Sequence, residues 1–238
     1  MADTLEPMPD DWSRALAVVA HPDDMEFGSS GAVAAWTASG KSVAYVLVTH
    51  GEAGIDSMSP AESAKVRADE QLASARIVGA APVEFLDHPD GSVEHGLPLR
   101  RDIAAAIRRH RPELVITCNH HDRAIGGGWN MADHRNTGRA VLDAVGDAGN
   151  RWIFPDLDLE PWAGVRYVAI ASSPVPTHAA DVGGHLDSAV ASVEAHAAYL
   201  AALGPRFADV RGPLTGYLTA TGARAGLESA VPFELLVR

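Results

Sequence analysis

The chain has 238 residues, 47% of them hydrophobic and 21% charged, ordinary proportions for a folded domain and far from those of disordered, collagen-like or mucin-like chains. Lys+Arg 19 against Asp+Glu 31 leave a formal net charge of -12, which repels phosphate backbones and anionic headgroups, so nucleic acid is not expected as a partner. One hydrophobic core still suffices at this length, and a single domain over 1–238 is expected.

Cys118 is the single cysteine, so no intrachain disulfide forms and nothing calls for an oxidising compartment. The N-terminal MADTLEPMPDDWSR lacks the basic and apolar regions of a signal peptide. Apolar runs such as Ala15 to Ala20 fall well short of the roughly 18 to 20 residues that cross a bilayer. A soluble cytoplasmic protein without membrane insertion is expected.

Leu16 to Ala20 reads as the first strand, Ser42 to Thr49 as the second and Val83 to Leu86 as the third. Leu114 to Cys118 and Val165 to Ala171 are the fourth and fifth. Stretches of helical period lie between them at 28–39, 60–79, 98–110 and 135–147, punctuated by Gly40, Pro60, Gly79, Pro98 and Pro112. That alternation predicts βαβ units and a doubly wound, mostly parallel α/β sheet with helices on both faces. An Ala-rich helix is expected over about 184–203, followed by a Gly-rich tail ending in the apolar PFELLV. The aperiodic stretch around Gly126, Gly127 and Gly128 reads as a functional or mobile loop.

AHPDDMEFGSSG follows the first strand directly, and ligands of open parallel sheets bind at the carboxyl ends of strands. Pro22 favours an extended His21 and a tight turn after it, which aims Asp23 and Asp24 in different directions. One imidazole and one carboxylate make two metal ligands, with a carboxylate to spare for holding a water. The loop after the fourth strand, NHHDRAIGGGWNMADHRNTG, brings His134 to the start of the next helix. If the first and fourth strands flank the reversal of strand order, His21, Asp24 and His134 converge as two imidazoles, one carboxylate and an open position. Simpler roles remain for each residue alone: Asp23 or Asp24 as a helix cap, His134 as a cap or surface residue.

Together, AHPDDMEFGSSG (20–31), THGEAG (49–54), Arg67-x-x-Glu70 and ADHRNTGRAV (132–141) resemble the LmbE-like or PIG-L family of zinc-dependent N-acetylglucosaminyl deacetylases. The likeness covers the N-terminal 150 residues and implies a Rossmann-like fold, with the metal site inside 15–150 and a substrate-specific part at 151–238. It implies one zinc ion held by His21, Asp24 and His134, Asp23 as general base, and Arg67 gripping substrate. The implied substrate is a small-molecule N-acyl amino sugar or its conjugate, and a homo-oligomer is compatible with it. Met131-Ala132-Asp133-His134 stands where the family reads His-Pro-Asp-His, so the histidine that assists the oxyanion is missing, and THGEAG has His50 where Asp is common. His120 or His121, oriented by Asp122 or Asp133, is the expected substitute as a catalytic donor.

Arg67 and Glu70, spaced i, i+3, also read as a surface ion pair. Glu52 reads as a turn residue or a neighbour of the site. His185 and His196 are expected on one face of one helix, at the surface or an interface. Trp129 is a sugar-stacking ring or a buried loop anchor, and Cys118 a small core residue. A non-haem iron oxygenase shares the two-His, one-carboxylate ligand set, and a non-catalytic metal- or sugar-binding module would survive without the oxyanion histidine. Dinucleotide binding is disfavoured, because GSSG after the first strand is not G-x-G-x-x-G.

Overall fold

The computed structural model describes residues 4–238. Its strands are β1 (Glu6–Pro7), β2 (Arg14–Val19), β3 (Ser42–Leu47), β4 (Val83–Phe85), β5 (Leu114–Thr117), β6 (Tyr167–Ala171), β7 (His178–Asp181) and β8 (Ala230–Val237). They form one sheet in the order β1-β7-β8-β6-β5-β2-β3-β4. Strand β8 alone runs antiparallel to its neighbours, β6 and β7. The chain leaves β2 towards β3 and β4, then returns to the other side of β2 as β5 and β6. The reversal of strand order therefore falls between β2 and β5, where the crevice of a doubly wound sheet opens.

Both faces of the central strands are covered, which is why they read as continuous apolar runs. Leu16 and Val18 pack with Val46, Val115, Ile103 and Val141 on one face, under α3 (Leu97–His110) and α4 (Ala132–Gly149). Ala15, Ala17 and Val19 pack with Tyr45, Ile116, Trp36 and Phe233 on the other, under α1 (Ser30–Ala38), α2 (Pro60–Ile77), α5 (Leu186–Glu194) and α7 (Arg211–Ala225). Helix α2 starts sharply because Pro60 follows Ser59, whose side chain takes the Glu62 N–H while Glu62 returns the bond to the Ser59 backbone.

The C-terminal third departs from expectation. The helix expected over 184–203 is two helices, α5 and α6 (Ala197–Leu203), with His185 and His196 as their N-caps, not on one shared face. His196 is fully buried beside Glu26, Nε2 to Oε2 3.6 Å, and Glu70 accepts the Ala198 N–H at 2.6 Å, capping the second piece. The Gly-rich tail contains α7, because its apolar residues face the sheet despite poor intrinsic helix propensity. No helix among the described residues is long and apolar enough to cross a membrane.

Candidate metal centre

His21 and Asp24 leave the end of β2 in a turn closed on itself: Asp24 Oδ2 accepts the His21 N–H at 2.9 Å. Across the crevice, in the first turn of α4, His134 Nε2 lies 2.9 Å from Asp24 Oδ1. Ligand atoms of His21, Asp24 and His134 all lie within 4.8 Å of one another.

Surrounding groups decide which imidazole nitrogen faces the centre. Asn130 Nδ2 donates to the carbonyls of Asn119 at 2.7 Å and His121 at 3.0 Å. Its Oδ1 is thereby an acceptor for His134 Nδ1 at 3.3 Å, so a neutral His134 presents an unprotonated Nε2. For His21 the polarity is reversed. Its Nε2 lies 3.1 Å from Asp133 Oδ2 and 3.1 Å from Asp90 Oδ1, leaving Nδ1 towards Asp24, 3.7 Å from Oδ2. Asp133 is itself pinned by the N–H groups of Gly91 at 2.7 Å and Val93 at 3.1 Å. Two oriented imidazoles, each with its outer nitrogen occupied, and one carboxylate fit a divalent transition metal such as zinc.

The electrostatics of the protein alone match this donor set. Burial opposes charge on His21, but hydrogen bonds to Asp133, Asp24 and Asp90 outweigh it and raise the pKa. Burial likewise opposes charge on His134, and the Asp24 carboxylate overrides it. Asp24 is lowered in spite of its burial, through His134 and His21. A cation replacing those protons would meet a site already built for positive charge.

Asp23 is set apart from Asp24 by its backbone, at φ 106, a left-handed conformation that non-glycine residues rarely adopt. Gln71 Oε1 takes its N–H at 3.0 Å, and Gln71 is fixed through its amide to Glu26 Oε1 at 2.9 Å. Arg67 donates to Asp23 Oδ1 at 2.7 Å and to the Gly51 carbonyl at 3.2 Å. Its guanidinium lies 3.9 Å from the ring centre of Tyr199 on α6. The glycines of THGEAG make room for it: a Cβ at Gly51 would stand 2.3 Å from Arg67 Nη1, and one at Gly54 2.4 Å. Burial first, and then the Asp24 charge, push Asp23 up to about 7.

Several expectations change here. Arg67 is 2% exposed, so it does not pair with Glu70 at the surface; it holds Asp23. Trp129 is 66% exposed, beneath Arg135 at 4.8 Å, so it is not a buried anchor. His196 is buried, not a surface histidine. His121 is drawn to Glu234, Nε2 to Oε2 2.7 Å, with His120 beside it, and neither lines the cavity next to Asp24 and His134. That cavity, about 240 Å³, is walled by Val19, Cys118, Ala124, Ile125, Asn130 and Ser172. A larger one of about 740 Å³, near Trp152 and Arg238, sits by the amino ends of β5 and β6, away from the titratable cluster. Cys118 is buried, with its thiol raised by that burial. Glu52 accepts the Asp90 N–H at 2.8 Å and so braces the loop on which His21 leans.

A family model described as GlcNAc-PI de-N-acetylase (PIG-L) matches residues 16–145, β2 through most of α4. Diacetylchitobiose deacetylase of Thermococcus kodakarensis is 32% identical over 141 residues, 58% of this chain and 51% of that protein. A conserved protein of Thermus thermophilus superposes with a TM-score of 0.77 at 28% identity, over 92% of both chains. N,N'-diacetylchitobiose deacetylase of Pyrococcus horikoshii has the same fold, with TM-score 0.85 and 21% identity over 95% of this chain and 85% of that one. The chain spans about half the length of the curated relatives it matches. With the matched segment covering more than half of its length and containing His21, Asp24 and His134, the chain belongs to the GlcNAc-PI de-N-acetylase (PIG-L) family.

Proposed function

We propose that this protein is a zinc-dependent hydrolase that removes an acetyl or similar short acyl group from the nitrogen of an amino-sugar-containing small molecule. The observation that carries this reading is Asp23: a buried carboxylate in a left-handed turn, gripped by Arg67 and adjoining Asp24 of the candidate ligand set. A non-catalytic binding module has no use for a carboxylate held that way. The deacetylase relatives point to the same reaction and substrate class.

His21 Nδ1, Asp24 and His134 Nε2 would hold the ion, which supplies Lewis-acid polarisation of the acyl carbonyl and favours ionisation of a water. Asp23, its pKa raised by burial and by the Asp24 charge, takes a proton from the attacking water. It then passes that proton to the departing amine as the carbon–nitrogen bond breaks, so one carboxylate serves as base and acid in turn. Arg67 fixes the rotamer of Asp23 through the oxygen it binds and leaves the other for proton transfer. The cavity beside Asp24 and His134, about 240 Å³ with apolar walls of Val19, Ala124 and Ile125, suits a short acyl group. The exposed Trp129 ring offers a platform on which a sugar face could stack.

Amine release from a panel of N-acyl amino sugars and their conjugates, with chelated and zinc-reconstituted protein, tests the reading. Zinc-restored release of amine and short carboxylate in equal amounts is expected. Absence of release across the panel from protein of full zinc content contradicts it.

A further inference from the structure

The segment after β5 and strand β8 share a second cluster of metal-ligating side chains that the centre above does not use. His120, His121 and Glu234 each bring one ligand atom within 4.8 Å of the others. His121 Nε2 is 2.7 Å from Glu234 Oε2, and the two imidazole rings are 4.2 Å apart between centroids. Adjacent side chains of an extended segment point to opposite sides. Here Asn119 Oδ1 accepts the His121 N–H at 2.9 Å, turning the chain so that the rings converge. Gly138 of α4 lets His120 pack close, since a Cβ there would stand 2.8 Å from His120 Cβ. Glu234 is the one charged residue of the otherwise apolar AVPFELLV strand, and Ser173 Oγ donates to its Oε2 at 2.6 Å.

A simple ion pair between His121 and Glu234 has no need of His120. Yet His120 Nδ1 is buried with no hydrogen-bond partner among the described residues, the condition of a group that lacks something to bind. Two imidazoles and one carboxylate, with a hydroxyl steadying the carboxylate, are a donor set for zinc, cobalt, nickel or copper and not for calcium or magnesium.

We propose that His120, His121 and Glu234 form a second site for a divalent transition-metal ion, distinct from the His21, Asp24 and His134 centre and sharing no ligand with it. An ion there ties the loop after β5 to the C-terminal strand. The same loop carries Asn130, the partner of His134 Nδ1, so occupancy steadies one wall of the first centre without contacting substrate.

The test is metal stoichiometry and stability of the full chain, stripped by chelation and dialysed against zinc or cobalt. Wild type is expected to hold two ions, and His121→Ala and Glu234→Gln one each. Asp24→Ala, which disables the first centre, is expected to retain one ion and a zinc-dependent rise in Tm. Both disappear in Asp24→Ala combined with His121→Ala. Should a variant fail to fold, the nearly isosteric Glu234→Gln against wild type still decides, through a loss of at least tenfold in affinity for the second ion. A single ion in wild type and Glu234→Gln alike overturns the proposal, as does a second ion indifferent to replacement of His120, His121 and Glu234. Neither readout depends on hydrolysis, so this site and the hydrolytic reading stand or fall separately.

Discussion

Arg67 and Asp23 meet 2.7 Å apart, both buried, on helix α2 and on the turn after β2. The pair joins two sequence motifs that look unrelated along the chain. It also explains the glycines of a third, THGEAG, which clear the volume the guanidinium occupies. Asp23 is therefore held by a buried cation with its own packing requirements.

Arg67→Ala is expected to damage stability and turnover together. It leaves Asp23 buried without its partner and opens a void under Tyr199, and removing one member of a buried pair costs about 3 to 5 kcal/mol. Denaturant unfolding alongside kcat/KM checks this. Unchanged stability with weakened substrate binding would return Arg67 to a substrate-gripping role.

His21→Ala and His134→Ala each remove one of three protein ligands, so the first centre should lose its ion while the apolar core, which contains neither, stays folded. Elemental analysis resolved by site, in a Glu234→Gln background, reads the result. Full occupancy in either variant contradicts the ligand set.

Asp133→Asn addresses orientation rather than ligation. Asp133 touches His21 Nε2 and two backbone N–H groups, and loss of such an outer partner typically weakens metal binding by about 10 to 100-fold. Competition with a chromogenic chelator measures it. An unchanged affinity would mean that Asp90 alone orients the ring.

The pH dependence follows from Asp23, which burial and then Asp24 raise to about 7. As a general base Asp23 works only when ionised, so kcat/KM should fall as pH drops, through a value no higher than that. A bound cation favours the carboxylate and shifts this limb to lower pH, never to higher. Activity that rises on acidification would be inconsistent with Asp23 as the base.

Much of this was legible in the sequence because it rests on local pattern. The alternation of apolar runs and helical stretches gave β2 to β6, and strand-end logic placed His21, Asp24 and His134 at the switch point. The same logic applied to LDHPDG after β4 would have found Asp90. Partners held by tertiary contacts escaped. Gln71 and Asn130 are ordinary polar residues until their amides are seen bridging two elements, and Arg67 looked exposed because its only helical neighbour of opposite charge was Glu70. Helix α7 was hidden by its glycines, and β7 and β8 by their place in a tail without periodic signals.

Turnover and metal content of Asp23→Asn, determined on the same preparation, test Asp23 as the general base most sharply. The amide keeps the shape and the acceptor for Arg67 but cannot take a proton. Unchanged metal content and a turnover lower by about 10² to 10⁴ are expected. Wild-type turnover in this variant would contradict that role.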